Sequence, residues 1–146
     1  MLIYLDACSL QRPLDDRTHP RNNIEAEAVL TILRLVESGH IELLTSEVLQ
    51  FEIDRTPNQY RKGQVIEMLK LATRVIEIND EIESEAKIFI QAGVKPLDAL
   101  HLASASWAKA DYFCTCDDKL LKRPINFRSD ATVMISPLQQ VTEVAR

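Results

Sequence analysis

The sequence predicts an α/β fold, a three-layer α/β/α sandwich around a central parallel sheet of about five strands. Short apolar runs alternate with segments whose apolar residues recur at helical spacing. Parallel neighbours need a crossover, which is usually a helix. A late segment with alanine at 99, 103, 105, 108 and 110 predicts a helix that approaches the sheet closely. The length of 146 residues suits a single domain spanning 1–146.

The first elements follow from local signals. The apolar run 2–5 ends abruptly at Asp6 and predicts the first strand. A polar loop with prolines is predicted over 11–23. Apolar residues at helical spacing then predict a helix over 24–36, which Gly39 helps to end.

The middle of the chain continues the alternation. A second strand is predicted over 41–44, and Thr45 and Ser46 can cap a helix that reaches about Arg55. Pro57 interrupts this helix, and a further helical segment is predicted over 64–73.

The second half of the chain predicts three strands and three helices. A helix over 80–91 is ended by Gly93, and Pro96 opens the alanine-rich helix, which runs to about Ala110. The remaining predicted elements are strands at 75–78, 112–115 and 132–135 and a short helix from Pro137.

Three acids fall at one edge of the predicted sheet. Ligands of open α/β sheets gather beyond the carboxyl ends of the strands, where strand order reverses. Asp6 directly follows the first strand and Asp117 follows the fourth. Asp98 lies in the first turn of the helix opened by Pro96, which begins at the same edge because it runs antiparallel to the strand it feeds.

Glu52 is a fourth candidate, because a helical wheel places it near the centre of an apolar stripe, whereas Glu47 lies on the opposite face. The stripe consists of Val48, Leu49, Phe51 and Ile53. An inward carboxylate is costly to desolvate unless it is paired or bound to a metal.

Each acid also has a purely structural explanation: Asp6 can end a strand, Asp98 can favour a helix N-terminus, and Asp117 or Asp118 can cap a turn. Four acids at one edge would repel each other without a cation, which favours a metal site. All-oxygen ligands suit Mg²⁺ or Mn²⁺, and three scattered histidines without CxxC spacing argue against zinc.

These acids and their neighbours resemble the PIN-domain family, particularly its VapC-type toxin ribonucleases. Four sequence segments carry the resemblance: Ile3-Tyr4-Leu5-Asp6, Phe51-Glu52-Ile53, Leu97-Asp98-Ala99-Leu100-His101-Leu102-Ala103 and Thr115-Cys116-Asp117. The family often has Asn or Ser two residues after the first Asp, where this chain has Cys8; Ser9 or Thr115 offers a hydroxyl nearby.

The resemblance implies an endoribonuclease that hydrolyses RNA phosphodiester bonds with Mg²⁺ or Mn²⁺. Asp6, Glu52, Asp98 and Asp117 would be its catalytic and metal-binding residues. A divalent cation can activate water for attack on phosphorus and neutralise developing charge. The resemblance also implies the toxin of a type II toxin–antitoxin pair, with a small antitoxin as partner and a homodimer as the assembly.

The charge of the chain does not exclude an RNA substrate. The formal net charge is −5, but four carboxylates in a metal site account for most of it. Candidate phosphate-binding cations are Arg12, Arg17, Arg21, Lys119, Lys122 and Arg123, although surface cations are usually just solvated. His101 either lines the rim of the site or is simply a packed or exposed histidine, and Glu25 and Glu27 are interpreted as a solvated helix start.

The three cysteines, Cys8, Cys114 and Cys116, lack the spacing of a disulfide framework and are expected as small buried hydrophobes in a reducing compartment. No signal peptide or membrane-spanning stretch is predicted, so we expect a soluble, cytoplasmic protein without a membrane partner.

Three other kinds of function are possible for this fold class. A dinucleotide-binding module would need a glycine-rich turn after the first strand, and none follows Asp6. A Mg²⁺-dependent phosphatase typically has a second Asp where Cys8 stands, and neither it nor a phospho-acceptor domain explains Glu52. A PIN-like module that binds RNA or protein without cutting is the closer alternative, and cleavage of RNA would distinguish it.

Overall fold

The structure is a computed structural model that describes residues 1–145. The strands are β1 (Leu2–Leu5), β2 (Glu42–Ser46), β3 (Arg74–Ile76), β4 (Tyr112–Cys114) and β5 (Val133–Ile135). The α-helices are α1 (Ala7–Gln11), α2 (Pro20–Glu37), α3 (Glu47–Asp54), α4 (Gln59–Leu69), α5 (Asp80–Gln91), α6 (Pro96–Trp107), α7 (Asp118–Leu121) and α8 (Pro137–Val144). A 3₁₀ helix, Arg12–Leu14, follows α1.

The five strands form one parallel sheet in the order β3-β2-β1-β4-β5. The chain moves outward from the central β1 to β3 and then returns to the other side of β1 at β4. The strand order therefore reverses between β1 and β4, where a crevice for ligands is expected at the carboxyl edge. The predicted α/β/α sandwich is confirmed.

Alternating side chains of β1 enter two separate cores. Ile3 and Leu5 pack with residues of α2, α3 and α4, whereas Tyr4 packs with residues of α5 and α6 on the opposite face. Ala99, Ala103 and Ala105 are fully buried in the second core, so their small side chains let α6 lie close to the sheet as predicted.

Several element bounds differ from the prediction. The helix over 80–91 is confirmed; Asn79 caps its start, and Gly93 follows its end with φ of 99°. However, α2 begins at Pro20 and α4 at Gln59, four and five residues earlier than predicted. Helices α1 and α7 were not predicted, because four or five residues are too few to show helical periodicity.

No helix within residues 1–145 is long and apolar enough to cross a membrane.

Candidate metal and catalytic site

A cavity of about 250 Å³ opens at the carboxyl edge of the sheet, beyond β1 and β4. All four predicted acids line it, although they come from distant parts of the chain. The lining residues are Asp6, Ala7, Cys8, Arg12, Glu52, Asp98, His101, Cys116 and Asp117. The strand reversal therefore coincides with the acidic residues, as the sequence predicted.

Asp6 and Asp117 occupy equivalent local structures. Each follows a strand of the central pair and caps a short helix: Oδ1 of Asp6 accepts the amide proton of Ser9 at 3.0 Å, and Oδ1 of Asp117 accepts that of Lys119 at 2.9 Å. Asp6 is buried, whereas Asp117 is exposed at the mouth of the cavity. Both acids thus have the structural role of an N-cap in addition to their place in the cavity.

The carboxyl group of Asp98 is influenced by the charges of the other three acids. Asp98 is the third residue of α6 and is half-buried. Burial is the largest cause that raises the pKa of Asp98, followed by the negative charge of Asp6. The charges of Asp117 and Glu52 raise this pKa further, while His101 opposes them. The carboxylates are therefore close enough to disfavour one another's ionisation.

Asp6 is the most buried of the four acids. Burial raises the pKa of its carboxyl group, and hydrogen bonds from Thr115, Cys8 and Ser9 act in the opposite direction. The thiol of Cys8, at the position where the resemblance implied Asn or Ser, donates to Asp6 Oδ1 at 3.1 Å. The hydroxyl of Ser9 instead donates to the carbonyl oxygen of Cys114.

The cysteine prediction is partly wrong. Cys114 and Cys116 are buried free thiols as expected, but Cys8 is only half-buried and lines the cavity. Its position two residues after Asp6, at the start of α1, brings the thiol back towards the carboxylate.

Glu52 lies on α3 at the border between core and solvent. Val48, Leu49 and Ile53 are buried, but the prediction for Phe51 is wrong because that ring is 51% exposed. The side chain of Glu52 is 36% exposed and its Oε1 lies 2.7 Å from Nε2 of His101. The helical wheel placed Glu52 too deeply, because α3 packs on the sheet through a narrower stripe than the pattern indicated.

His101 is buried and also lines the cavity, so the two interpretations offered by the sequence both apply. Its Nδ1 lies 2.6 Å from the hydroxyl oxygen of Tyr4. Sequence reasoning did not find this contact. The available signal was the spacing of His101 one turn after Asp98, which does not identify Tyr4 as its partner.

Arg12 is the candidate cation that the structure places in the cavity lining; among the described residues the other five candidates do not line it. Arg17 pairs with Glu27 and Arg21 with Asp118. The interpretation of Glu25 as solvated is wrong. Its side chain is 3% exposed and contacts Arg12, because α2 begins early enough to turn this residue inward.

The carboxylates share the cavity without forming a tight cluster. Within residues 1–145, no three His, Cys, Asp or Glu side chains converge as the ligands of one metal ion would. The donor set nevertheless fits a hard divalent cation, because carboxylate oxygens from four elements line one small space and the pKa of Asp98 is raised by its neighbours.

A family model for the PIN domain matches residues 3–125. The chain belongs to the PIN-domain family. All four acids fall inside the matched segment, which begins in β1 and ends shortly after α7. No curated protein matches the chain.

Solved structures show the same fold. A chain from the crystal structure of VapBC2 from Rickettsia felis bound to a DNA fragment from their promoter superposes with a TM-score of 0.59. The alignment covers 93% of this PIN-domain chain and 98% of that one at 13% identity. At this identity the likeness establishes the fold alone.

Proposed function

We propose that this PIN-domain protein is a divalent-metal-dependent endoribonuclease that hydrolyses RNA phosphodiester bonds. The observation that carries the proposal is the gathering of Asp6, Glu52, Asp98 and Asp117 around one cavity at the strand reversal. Membership of the PIN-domain family, many of whose members are nucleases, supports it. A bound Mg²⁺ or Mn²⁺ would supply an activated water and neutralise charge on the phosphate.

The residues of the chain would divide the remaining work. Asp6, buried and restrained by Ser9 and Cys8, would be the most rigid ligand. Asp98 and Asp117 would complete the carboxylate set from α6 and the start of α7. Arg12, whose guanidinium lines the same cavity, would attract the phosphate group of RNA.

We further propose that the protein is the toxin of a type II toxin–antitoxin pair. The structural neighbour from Rickettsia felis is named as VapBC2 and was crystallised with promoter DNA. By analogy, this chain would act in the cytoplasm, form a homodimer and be blocked by a small antitoxin. Co-expression with the product of a neighbouring short gene would test the pairing.

The cleavage test compares wild type with Asp6→Asn and Asp98→Asn on a mixed RNA substrate in Mg²⁺, Mn²⁺ or EDTA. Each substitution removes one negative oxygen ligand, and we expect a loss of rate of about a hundredfold or more. Asp118→Asn is the matched control, because Asp118 lies outside the cavity lining and pairs with Arg21.

Cleavage that persists in EDTA would refute metal dependence. Binding of RNA without cleavage in any cation would favour the alternative of a non-cleaving PIN-like module. The loose arrangement of the carboxylates in the described residues is the observation that keeps that alternative open.

A further inference from the structure

A hydrogen-bonded chain of four side chains runs from the start of α3 through the core to Glu52. The hydroxyl oxygens of Ser46 and Tyr4 are 2.6 Å apart, and that of Tyr4 is 2.6 Å from Nδ1 of His101. Nε2 of His101 is 2.7 Å from Oε1 of Glu52. Ser46, Tyr4 and His101 are all buried, so each polar atom depends on these partners.

One placement of the protons satisfies every group. Ser46 Oγ accepts the amide proton of Leu49 at 3.0 Å, which leaves its own proton available for donation to Tyr4. Tyr4 then donates to Nδ1 of His101, and the proton of Nε2 is donated to the carboxylate of Glu52. The reverse direction would place a lone pair of Nε2 of His101 against the lone pairs of Oε1 of Glu52, which is repulsive.

Two further contacts restrict the ring of His101. It packs edge-on against the ring of Tyr4, with centroids 5.8 Å apart, and Tyr4 in turn stacks on Phe113 at 5.4 Å. Burial also raises the pKa of Tyr4, so its hydroxyl keeps the proton that it donates. The donor that faces Glu52 is therefore held by the core of the sheet.

Glu52 is the acid that most needs such a support. A third of its side chain is exposed, its neighbour Phe51 faces solvent, and a glutamate has more rotatable bonds than the aspartates beside it. Ser46 also caps α3, so this series of hydrogen bonds restrains the helix at its start and again at Glu52. The hydrogen bond with Nε2 of His101 is the contact that holds the carboxylate of Glu52 at the cavity.

We propose that His101, itself oriented by Tyr4, is a positioning residue that holds Glu52 towards Asp6 and Asp98 and thereby sets the affinity for the divalent cation. This inference rests on the proposed function, because it takes Glu52 as a metal ligand. It assigns His101 no contact with RNA or with the reacting atoms. Groups that orient metal ligands typically change metal affinity by ten- to a hundredfold.

The test measures Mn²⁺ binding by titration calorimetry on metal-free protein. We expect His101→Leu to weaken binding by about ten- to a hundredfold, and His101→Gln to recover much of it because its amide can donate to Glu52. Tyr4→Phe keeps the ring but removes the donor to Nδ1, so we expect a smaller loss in the same direction. The matched control is Thr45→Val, which removes a buried hydroxyl that is not part of this hydrogen-bonded series and has no hydrogen-bond partner within residues 1–145.

A second measurement reports the direction of the hydrogen bonds at His101, which a general effect on folding would not change. Nitrogen-15 NMR of the histidines at neutral pH should show a proton on Nε2 of His101 in metal-free wild type; a proton on Nδ1 alone would overturn the proposal. Wild-type affinity in folded His101→Leu would also overturn it, as would equal losses in Thr45→Val. Failure of wild type to bind Mn²⁺ would instead overturn the proposed function, and the NMR result would still decide the direction of the hydrogen bonds.

Discussion

Nε of Arg12 lies 3.1 Å from Oε1 of Glu25 beside the acidic cavity. The pair joins the 3₁₀ helix after α1 to the first turns of α2. The two atoms are at ion-pair distance but form no well-aligned hydrogen bond, and Arg21 approaches the same carboxylate at 3.5 Å. Glu25 is therefore a buried charge that depends on nearby guanidinium groups.

Replacing Arg12 should expose this dependence. In Arg12→Met the buried carboxylate of Glu25 keeps only the more distant Arg21, so we expect the free energy of unfolding to fall by about 3 kcal/mol. Urea unfolding measures the loss. The double variant Arg12→Met, Glu25→Leu should lose less than the two single variants together, because it leaves no unpaired charge.

The pair of Arg17 and Glu27 is the matched control. Its side chains are 35% and 58% exposed, and screening by solvent reduces the contribution of such a pair to the free energy of unfolding. Arg17→Met should therefore cost less than about 1 kcal/mol. Equal losses in Arg17→Met and Arg12→Met would contradict the interpretation of Glu25 as a buried charge.

The raised pKa of Asp98 predicts a pH dependence of stability in EDTA. Because the pKa of Asp98 in the folded state lies above its ordinary 3.8, the folded state holds the proton more tightly. Its contribution to the free energy of unfolding therefore decreases as pH rises from about 3.8 through the folded-state pKa. Asp98→Asn should gain stability relative to wild type across this window and keep the gain at neutral pH.

Asp118→Asn should instead lower the free energy of unfolding at neutral pH, and this loss should disappear on acidification. Arg21 lowers the pKa of Asp118, so this carboxylate stabilises the folded state above its ordinary pKa and the contribution is lost on acidification. Urea titrations at several pH values measure both differences. A gain in Asp98→Asn that does not change with pH would show that ionisation of the partly buried Asp98 beside the other carboxylates is not its cause.

Lys109 provides a prediction that is independent of function. It follows α6 with φ of 55°, and the amides of Lys109 and Ala110 bond to the carbonyls of Ser106 and Ala105 in a Schellman motif. Gly93 occupies the same position after α5. Lys109→Gly should remove the strain of the left-handed conformation and raise the free energy of unfolding by roughly 0.5–1 kcal/mol.

The control for this change is Lys109→Ala, which also removes the charge but retains the β-carbon. It should give no comparable gain in thermal or urea unfolding. If Ala and Gly stabilise the protein equally, the charge of Lys109 rather than its backbone conformation would be responsible.

The fold was largely predictable because its signals are local. Each of the five strands was expected within two residues of its observed bounds, and α5 matched the predicted 80–91 because Asn79 and Gly93 mark its two ends. Helices α1 and α7 escaped prediction because their stabilisation comes from the caps Asp6 and Asp117, not from a repeating apolar face.

The candidate site was predictable in its members and less so in its internal contacts. Strand ends and a helix start sufficed to bring Asp6, Asp98 and Asp117 to one edge of a parallel sheet. Glu52 lines the same cavity, but the helical wheel placed it too deeply: it is supported by His101 rather than enclosed by apolar neighbours.

The sequence by itself determined which acids are present, the alternation of strands and helices, and the edge of the sheet where the acids emerge, since these depend on periodicity and connection rules. Only the tertiary structure decided that Tyr4 and His101 meet, that Glu25 is buried against Arg12, and that Cys8 returns to Asp6. Such contacts depend on the rotation and depth at which each helix packs on the sheet, and local sequence patterns do not specify either quantity.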